Sequence, residues 1–137
     1  MKLIIIIGLP GSGKTTYYEE HLKTRGFIFF DDFISSIFNG KMMKAIETGI
    51  DDICITDPRL CNHEIFKKVM KDIESYIDKS NIELVLFEND KNKCLINASK
   101  RINKNVNKTI EFNSRIYNLD NYKDYDCKIE KIITSDF

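Results

Sequence analysis

The stretch that decides the fold runs from Gly8 to Thr15 and reads Gly-Leu-Pro-Gly-Ser-Gly-Lys-Thr. Its spacing is GxxxxGK[ST] at every fixed position. A mostly apolar run, residues 2–7, leads into it, and a helical pattern begins at about Lys14. A strand, a glycine-rich turn and a helix in this order bring backbone N–H groups and the positive end of the helix to one point. The stretch therefore predicts a cradle for phosphate groups.

The residue types of this loop suit a nucleoside triphosphate. Glycines let the backbone wrap closely around an anion. Lys14 is expected to reach the β- and γ-phosphates, Thr15 to bind Mg²⁺ through its hydroxyl, and Thr16 to contact the α-phosphate. The predicted nucleotide-binding residues are Gly8, Gly11, Ser12, Gly13, Lys14, Thr15 and Thr16. A glycine-rich turn with an incidental lysine is the alternative, but strand, loop and helix all agree with phosphate binding.

ATP is the expected nucleotide, with Mg²⁺ as the metal. A guanine-reading NKxD motif is missing, since residues 103–106 read Asn-Lys-Asn-Val, and no DxxG follows the third predicted strand. ATP and Mg²⁺ are therefore the predicted cofactors.

Five short apolar runs predict strands at residues 2–7, 27–30, 53–56, 83–87 and 129–133. Helical patterns separate them at residues 14–24, 41–48, 63–79, 92–103 and 109–118, with Gly26 as a C-cap and Asn62 as an N-cap. Alternating strands and helices predict an α/β fold with a parallel sheet, in one domain spanning residues 1–137. In such sheets, ligands bind beyond the carboxyl ends of the strands.

Composition limits the classes of function. The chain has 137 residues, 21 basic and 21 acidic, and a net charge of zero, which excludes strong non-specific attraction to nucleic acid or anionic lipid. Its longest apolar run, residues 3–7, is too short to span a membrane. The four cysteines form no CxxC pair, so reduced thiols in a cytoplasmic protein are expected. Abundant lysine, asparagine and isoleucine indicate AT-rich coding, as in a low-GC bacterium or its viruses; for a virus, the compartment is the host cytoplasm.

Two carboxylates follow the second predicted strand. Asp31 and Asp32 would face the mouth of the phosphate loop, where one of them can accept the proton of an attacking hydroxyl. Either residue also suits the N-cap of a following helical segment, and capping and catalysis are compatible. Which of the two is the base stays open at this point.

A third acidic position follows strand three. Four small or apolar residues and then Asp57 form a Walker-B pattern, whose carboxylate would bind Mg²⁺ directly or through water. A loop-starting aspartate before Pro58 is the alternative. Arg59 lies close by and is a candidate for holding an acidic or phosphorylated substrate.

A basic segment after strand four, about residues 91–108, is a candidate lid. Arg101 is the predicted catalytic arginine within it, because a planar guanidinium suits the charge that develops on a transferred phosphoryl group. A solvated, lysine-rich helix face is the alternative for most of the basic residues here.

With these residues in order, the chain resembles the 5′-hydroxyl kinase domain of phage polynucleotide kinase and its small P-loop kinase relatives, over about residues 1–119. The matching stretches are Gly8–Thr16, Gly26-Phe27 with Asp31-Asp32, Ile55–Leu60 and Cys94–Arg101. The resemblance implies that Asp31 is the general base, that Asp57 matches the aspartate of strand three and that Arg101 is the second lid arginine. Two arginines of the family are replaced here, by Ile34 and Asn97.

Together, the pattern and the resemblance predict a three-layer P-loop NTPase of nucleotide-kinase type, with a mainly parallel five-stranded sheet in the order 2-3-1-4-5. The implied activity is an ATP-dependent kinase acting on a polynucleotide 5′-hydroxyl, with Asp31, Lys14 and Arg101 as catalytic residues and Asp32 and Arg59 contacting substrate. The alternatives are a kinase of a nucleoside, nucleotide or other small molecule, a catalytically weakened ATP-binding module, and a plain ATPase. The acceptor and the oligomeric state stay open.

Overall fold

The computed structural model describes residues 1–31, 40–100 and 106–134. Its sheet has five strands in the order β2-β3-β1-β4-β5, and all four neighbouring pairs are parallel. The strands are β1 Leu3–Ile7, β2 Ile28–Asp31, β3 Ile53–Thr56, β4 Ile82–Phe87 and β5 Asp126–Glu130. The predicted α/β class, sheet type and strand order are confirmed.

Helices flank this sheet, so its central strands are buried on both faces. In β1, no residue is more than 2% exposed, and all of β3 is buried. The main helices are α1 Lys14–Tyr17, α2 Gly40–Thr48, α3 His63–Ile73, α4 Lys91–Ala98 and α5 Val106–Ile116. Continuous apolar runs in the sequence thus mark the strands that helices cover on both sides.

The first helical segment is less regular than predicted. After α1 the chain forms a π-helical turn, Tyr18–Leu22, and then a 3₁₀ turn, Lys23–Arg25. Gly26 ends the segment in the left-handed conformation, with φ +83°, as the predicted C-cap requires.

Two predicted helices are shorter than their sequence patterns indicated. α3 begins at the predicted N-cap, where the side-chain oxygen of Asn62 accepts hydrogen bonds from the N–H groups of Glu64 and Ile65. It ends at Ile73, because both the hydroxyl and the N–H of Ser75 donate to the carbonyl of Asp72. The helix predicted at residues 92–103 is α4, which ends at Ala98; residues 101–105 lie outside the described part.

The last strand lies three residues earlier than predicted. Glu130 is the final residue of β5 that pairs with β4. The N–H of Ile132 donates instead to the Glu88 carboxylate at 3.1 Å, so the chain leaves the ladder there. The apolar residues that suggested a strand at 129–133 include Ile132, which packs into the core beyond the strand.

Two hydrogen bonds fix the carboxyl edge of the sheet. The Thr56 hydroxyl donates to the carbonyl of Ile6 at 2.8 Å and joins the ends of β3 and β1. The buried hydroxyl of Tyr117 donates to the carbonyl of Phe87 at 2.6 Å and ties the segment after α5 to the end of β4. The loops that leave this edge are thereby held in place.

Candidate active site

The loop between β1 and α1 has the conformation its glycines predict. Gly11 and Gly13 have φ +82° and +104°, the left-handed region that glycine adopts without strain. α1 begins directly after them, and its N-terminus carries no side-chain cap. Its first N–H groups are therefore not taken by a capping side chain, which suits an anion at this end.

Close packing around the loop also requires glycine. A Cβ atom on Gly8 would lie 2.6 Å from the Ser12 hydroxyl oxygen, and one on Gly11 would lie 2.6 Å from the carbonyl oxygen of Cys94. The second contact places the start of α4's second turn against the loop. The loop is thus supported on one side by α4 and leaves no room for larger residues.

Lys14 lies folded into the loop. Its side chain is buried, and the Nζ atom donates to the carbonyl oxygens of Gly8 at 2.8 Å and Leu9 at 2.9 Å. The ammonium group is therefore held at the centre of the cradle, where a phosphate oxygen would compete for it with these carbonyls.

The three hydroxyl residues of the loop have different surroundings. Ser12 is 2% exposed, and its Oγ atom is buried without a hydrogen-bond partner among the described residues. Thr15 and Thr16 are exposed at the first turn of α1. An orphaned buried hydroxyl is costly unless a ligand pairs with it, so Ser12 supports the fit of a phosphate to this loop.

Asp31 shares a cleft with the phosphate loop. It is the last residue of β2, is exposed, and pairs in register with Thr56 of β3. The cleft has a volume of about 330 Å³. We call it the Asp31 cleft, and it is lined by Pro10, Gly11, Gly13, Lys14, Thr15, Asp31, Pro58, Val106 and Thr109. Asp32, the other predicted carboxylate, lies outside the described residues, as does Ile34.

Asp57 and Arg59 form an ion pair. The Asp57 side chain is fully buried, whereas that of Arg59 is 42% exposed. Nε of Arg59 donates to Oδ1 of Asp57 at 2.9 Å, and Nη2 donates to Oδ2 at 2.8 Å. The two predicted roles, metal ligand and substrate contact, therefore fall on residues that bind each other.

A second cleft lies on the other side of the loop. It has a volume of about 380 Å³. We call it the Tyr17 cleft, and it is lined by Gly11, Ser12, Gly13, Thr16, Tyr17, Glu20, His21, Phe87, Asn97, Lys100, Glu130, Lys131 and Ile133. The phosphate loop thus separates two clefts and contributes Gly11 and Gly13 to both.

Asn97 is a site residue that the sequence did not reveal. Its side-chain Nδ2 donates to the carbonyl of Gly11 at 2.9 Å and to that of Ile133 at 3.0 Å. From the sequence it counted only as a lost arginine. In the structure it joins α4, the phosphate loop and the segment after β5.

The predicted lid is described only in part. Arg101, the predicted catalytic arginine, and Lys104 fall within residues 101–105, outside the described residues. The charge of Lys93 is paired with a carboxylate, because its Nζ atom lies 3.0 Å from the Glu88 carboxylate. Lys100 lines the Tyr17 cleft.

Cysteines near the loop offer no reactive group. All four cysteines are free thiols. Burial raises the pKa of the Cys61 thiol to about 12 and that of Cys94 to about 11. Both are therefore uncharged at neutral pH and serve as packing residues.

A cavity larger than either cleft lies elsewhere. It has a volume of about 780 Å³, runs along α3 and is lined by residues such as His63, Phe66 and Tyr125. It contains none of the predicted site residues. The candidate active site is therefore assigned by the chemistry of the loop and its two clefts, and not by cavity size.

The strand order, the parallel sheet and the loop between β1 and α1 define a P-loop protein of nucleotide-kinase fold. Among solved structures, the chain is similar to deoxyadenosine kinase from M. mycoides with bound dATP. The TM-score is 0.55 with 16% identity, covering 96% of this chain and 91% of the other. That likeness establishes the fold.

No family model matches the chain. It belongs to the same family as the uncharacterized protein R277 of Acanthamoeba polyphaga mimivirus, with 40% identity over 135 residues and 96% of each chain covered. This relative is viral, whereas the AT-rich composition indicated a low-GC bacterium or its viruses. Within the described residues, no helix is long and apolar enough to cross a membrane. The resemblance to polynucleotide kinases in particular stays a prediction.

Proposed function

We propose that this chain is an ATP-dependent kinase that transfers the γ-phosphate to a hydroxyl group. The observation that carries the proposal is that Asp31, Lys14 and Thr15 line one cleft. A phosphate chain lying across the loop would extend from the Tyr17 cleft, which would take the nucleoside part, to the Asp31 cleft, which would take the acceptor. A kinase needs a carboxylate at that second position, whereas an ATPase does not.

The chemistry follows from these positions. The Asp31 carboxylate would take the proton of the acceptor hydroxyl as its oxygen bonds to the γ-phosphorus. The bond between that phosphorus and the bridging oxygen of the β-phosphate breaks, and ADP leaves. Lys14 and the N–H groups at the start of α1 would stabilise the charge on the phosphoryl oxygens. Arg101 remains the proposed source of additional positive charge.

Mg²⁺ is proposed to enter with ATP. The Thr15 hydroxyl fits as a ligand, since it is exposed at the first turn of α1 beside the loop. The metal would neutralise phosphate charge and favour an in-line displacement. Asp57 was the second predicted ligand, and both of its carboxylate oxygens accept hydrogen bonds from Arg59.

Two acceptors are proposed. A polynucleotide 5′-hydroxyl follows from the resemblance of the loop, the Asp31-Asp32 pair and the segment after β3 to polynucleotide kinases. A nucleoside or other small molecule is supported by the volume of the Asp31 cleft, about 330 Å³, and by its described lining, in which Lys14 is the single cationic side chain. A phosphorylated strand would need further cations from outside this lining.

Transfer of label from γ-labelled ATP tests the proposal. The acceptor panel contains 5′-hydroxyl oligonucleotides and nucleosides. Asp31→Asn is expected to abolish transfer while ATP affinity stays within a few-fold, because the carboxylate acts on the acceptor. Asp51→Asn, an exposed aspartate outside both clefts, is the matched control. Phosphate release without any acceptor would indicate an ATPase, and ATP binding without turnover would indicate a regulatory module.

A further inference from the structure

The Asp57–Arg59 pair is built more tightly than a surface ion pair. Besides the two side-chain bonds, the backbone N–H of Arg59 donates to Oδ1 of Asp57 at 2.9 Å. From Arg59 alone the carboxylate therefore accepts three hydrogen bonds, with both of its oxygens engaged, and it is fully buried. Such bidentate, charge-assisted bonds are the strong class of ion pair.

This arrangement conflicts with direct metal binding. Mg²⁺ binds carboxylate oxygens at about 2.0–2.1 Å in near-octahedral geometry. The Arg59 nitrogens already lie against both oxygens of Asp57, at 2.9 and 2.8 Å. A metal there would have to displace the guanidinium or share the carboxylate with it, and sharing would bring two cations together at a fully buried group. Among the residues described, no group of three or more metal-binding side chains occurs.

The backbone holds the pair next to the candidate active site. Asp57 caps the 3₁₀ turn Pro58–Cys61, with Pro58 at its start. Pro58 itself lines the Asp31 cleft. Asp57 also directly follows Thr56, the register partner of Asp31. The guanidinium is therefore fixed at the end of the strand that neighbours Asp31, in a defined orientation.

We propose that Asp57 is a positioning residue that holds Arg59 at the mouth of the Asp31 cleft, and that it is not a direct ligand of the metal. Arg59 then contacts the acceptor or its anionic group during transfer, and the two side chains work as one unit. An arginine held by a bidentate carboxylate keeps its planar group in one geometry, which a lysine cannot reproduce. This inference rests on the proposed kinase function.

The test compares Asp57→Asn, Arg59→Gln and the double variant. ATP affinity is measured by calorimetry in Mg²⁺ and again in EDTA, and the ratio reports the metal's contribution. We expect this ratio to stay within two-fold of wild type in all three variants. We also expect kcat/KM for the acceptor to fall at least ten-fold in each single variant. The double variant should show the same loss and not the product of the two, because either substitution alone already disrupts the Asp57–Arg59 pair.

Two controls keep the test decisive. Glu64→Gln and Lys67→Gln remove an exposed ion pair of α3 and are expected to change neither quantity. If Asp57→Asn does not fold, Arg59→Lys replaces it. This variant keeps the positive charge but loses the planar group that binds both carboxylate oxygens. The kcat/KM for the acceptor is expected to fall at least five-fold, and the ratio of ATP affinities in Mg²⁺ and EDTA should not change. Thermal unfolding identifies which variants are folded.

The opposite pattern would overturn the inference. It is wrong if Asp57→Asn lowers the metal ratio ten-fold, or if the losses in kcat/KM add in the double variant. Wild-type protein that binds no ATP, or that binds ATP and transfers no label to any acceptor, would contradict the proposed function itself, and the inference with it. The two failures are therefore distinguishable by titration and label transfer on the wild type.

Discussion

The Nζ atom of Lys14 lies 2.8 Å from the carbonyl oxygen of Gly8, inside the loop that Lys14 itself ends. A second bond joins Nζ to the carbonyl oxygen of Leu9 at 2.9 Å. A bound triphosphate would draw the lysine away from these two carbonyls toward its own oxygens. A hydrogen bond between two charged groups is stronger than one to a neutral carbonyl, so exchanging the carbonyls for phosphate oxygens favours binding.

Lys14→Met is therefore expected to weaken ATP binding by about 10- to 100-fold, the equivalent of one charged hydrogen bond. Calorimetry measures the affinity. Lys23→Met, an exposed lysine in the turn after α1, is the control and should leave it unchanged. Equal affinity of the Lys14 variant and wild type would show that the lysine does not contact phosphate.

Gly11 and Gly26 form a matched pair for testing how tightly the loop is packed. Their φ angles are +82° and +83°. A Cβ atom added to Gly11 would lie 2.6 Å from the carbonyl oxygen of Cys94, whereas one added to Gly26 would have no neighbour within 4 Å. Gly26→Ala should cost about 1–2 kcal/mol of the free energy of unfolding, for backbone strain alone. Gly11→Ala should cost about 2–5 kcal/mol, because overpacking adds to the strain.

Denaturant unfolding of both variants gives these values. The difference between them reports the contact with α4, since the two φ angles differ by only 1°. Equal losses would mean that α4 moves aside easily and does not support the loop.

Much of the fold was predictable because its signals are local. Continuous apolar runs gave β1 and β3, and the cap at Asn62 gave the start of α3. β5 was misplaced because it is an edge strand, partly exposed, whose sequence Asp-Cys-Lys-Ile-Glu carries little apolar pattern. Its true end depends on the Glu88 carboxylate, a partner 44 residues away from Ile132 that no local pattern indicates.

The candidate site was predictable where it depends on a motif. The loop residues and the position of Asp31 at a strand end followed from their spacing. Asn97 was missed because a single asparagine in a polar helix gives no signal, and its partner Gly11 lies 86 residues away. The pairing of Asp57 with Arg59 depends on side-chain geometry, which residue type alone does not fix.

Asn97→Asp should loosen the contact between α4 and the loop. The change removes the amide donor and brings a carboxylate toward the carbonyls of Gly11 and Ile133, so both bonds are lost. We expect a loss of about 1–3 kcal/mol in the free energy of unfolding, together with weaker ATP binding. Asn92→Asp, an exposed residue in the first turn of the same helix, should change stability by less than about 0.5 kcal/mol. If both variants behave alike, Asn97 does not hold the loop.

Glu88 joins the end of β4 to α4 and to the segment after β5, and this contact should make stability depend on pH. Its carboxylate accepts from Lys93 Nζ at 3.0 Å and from the N–H of Ile132 at 3.1 Å. The bond from Lys93, and next that from Ile132, lowers the pKa of Glu88 below its ordinary value. The ionised form is thus favoured in the folded protein. Its stabilisation is fully present above the ordinary pKa of about 4.3 and is lost as the pH falls through the lower pKa of the folded state.

Glu88→Gln should therefore lower the thermal unfolding midpoint at pH 7, and the difference from wild type should shrink below about pH 4 and then vanish. Thermal melts from pH 7 to pH 3 measure this. Glu64→Gln is the control, because the Glu64 side chain is 74% exposed in its pair with Lys67 and water screens that interaction. A gap between wild type and Glu88→Gln that stayed constant down to pH 3 would show that ionisation of Glu88 is not what stabilises the folded protein. In that case, the Glu88 carboxylate would not be what diverts the chain from the sheet at Ile132.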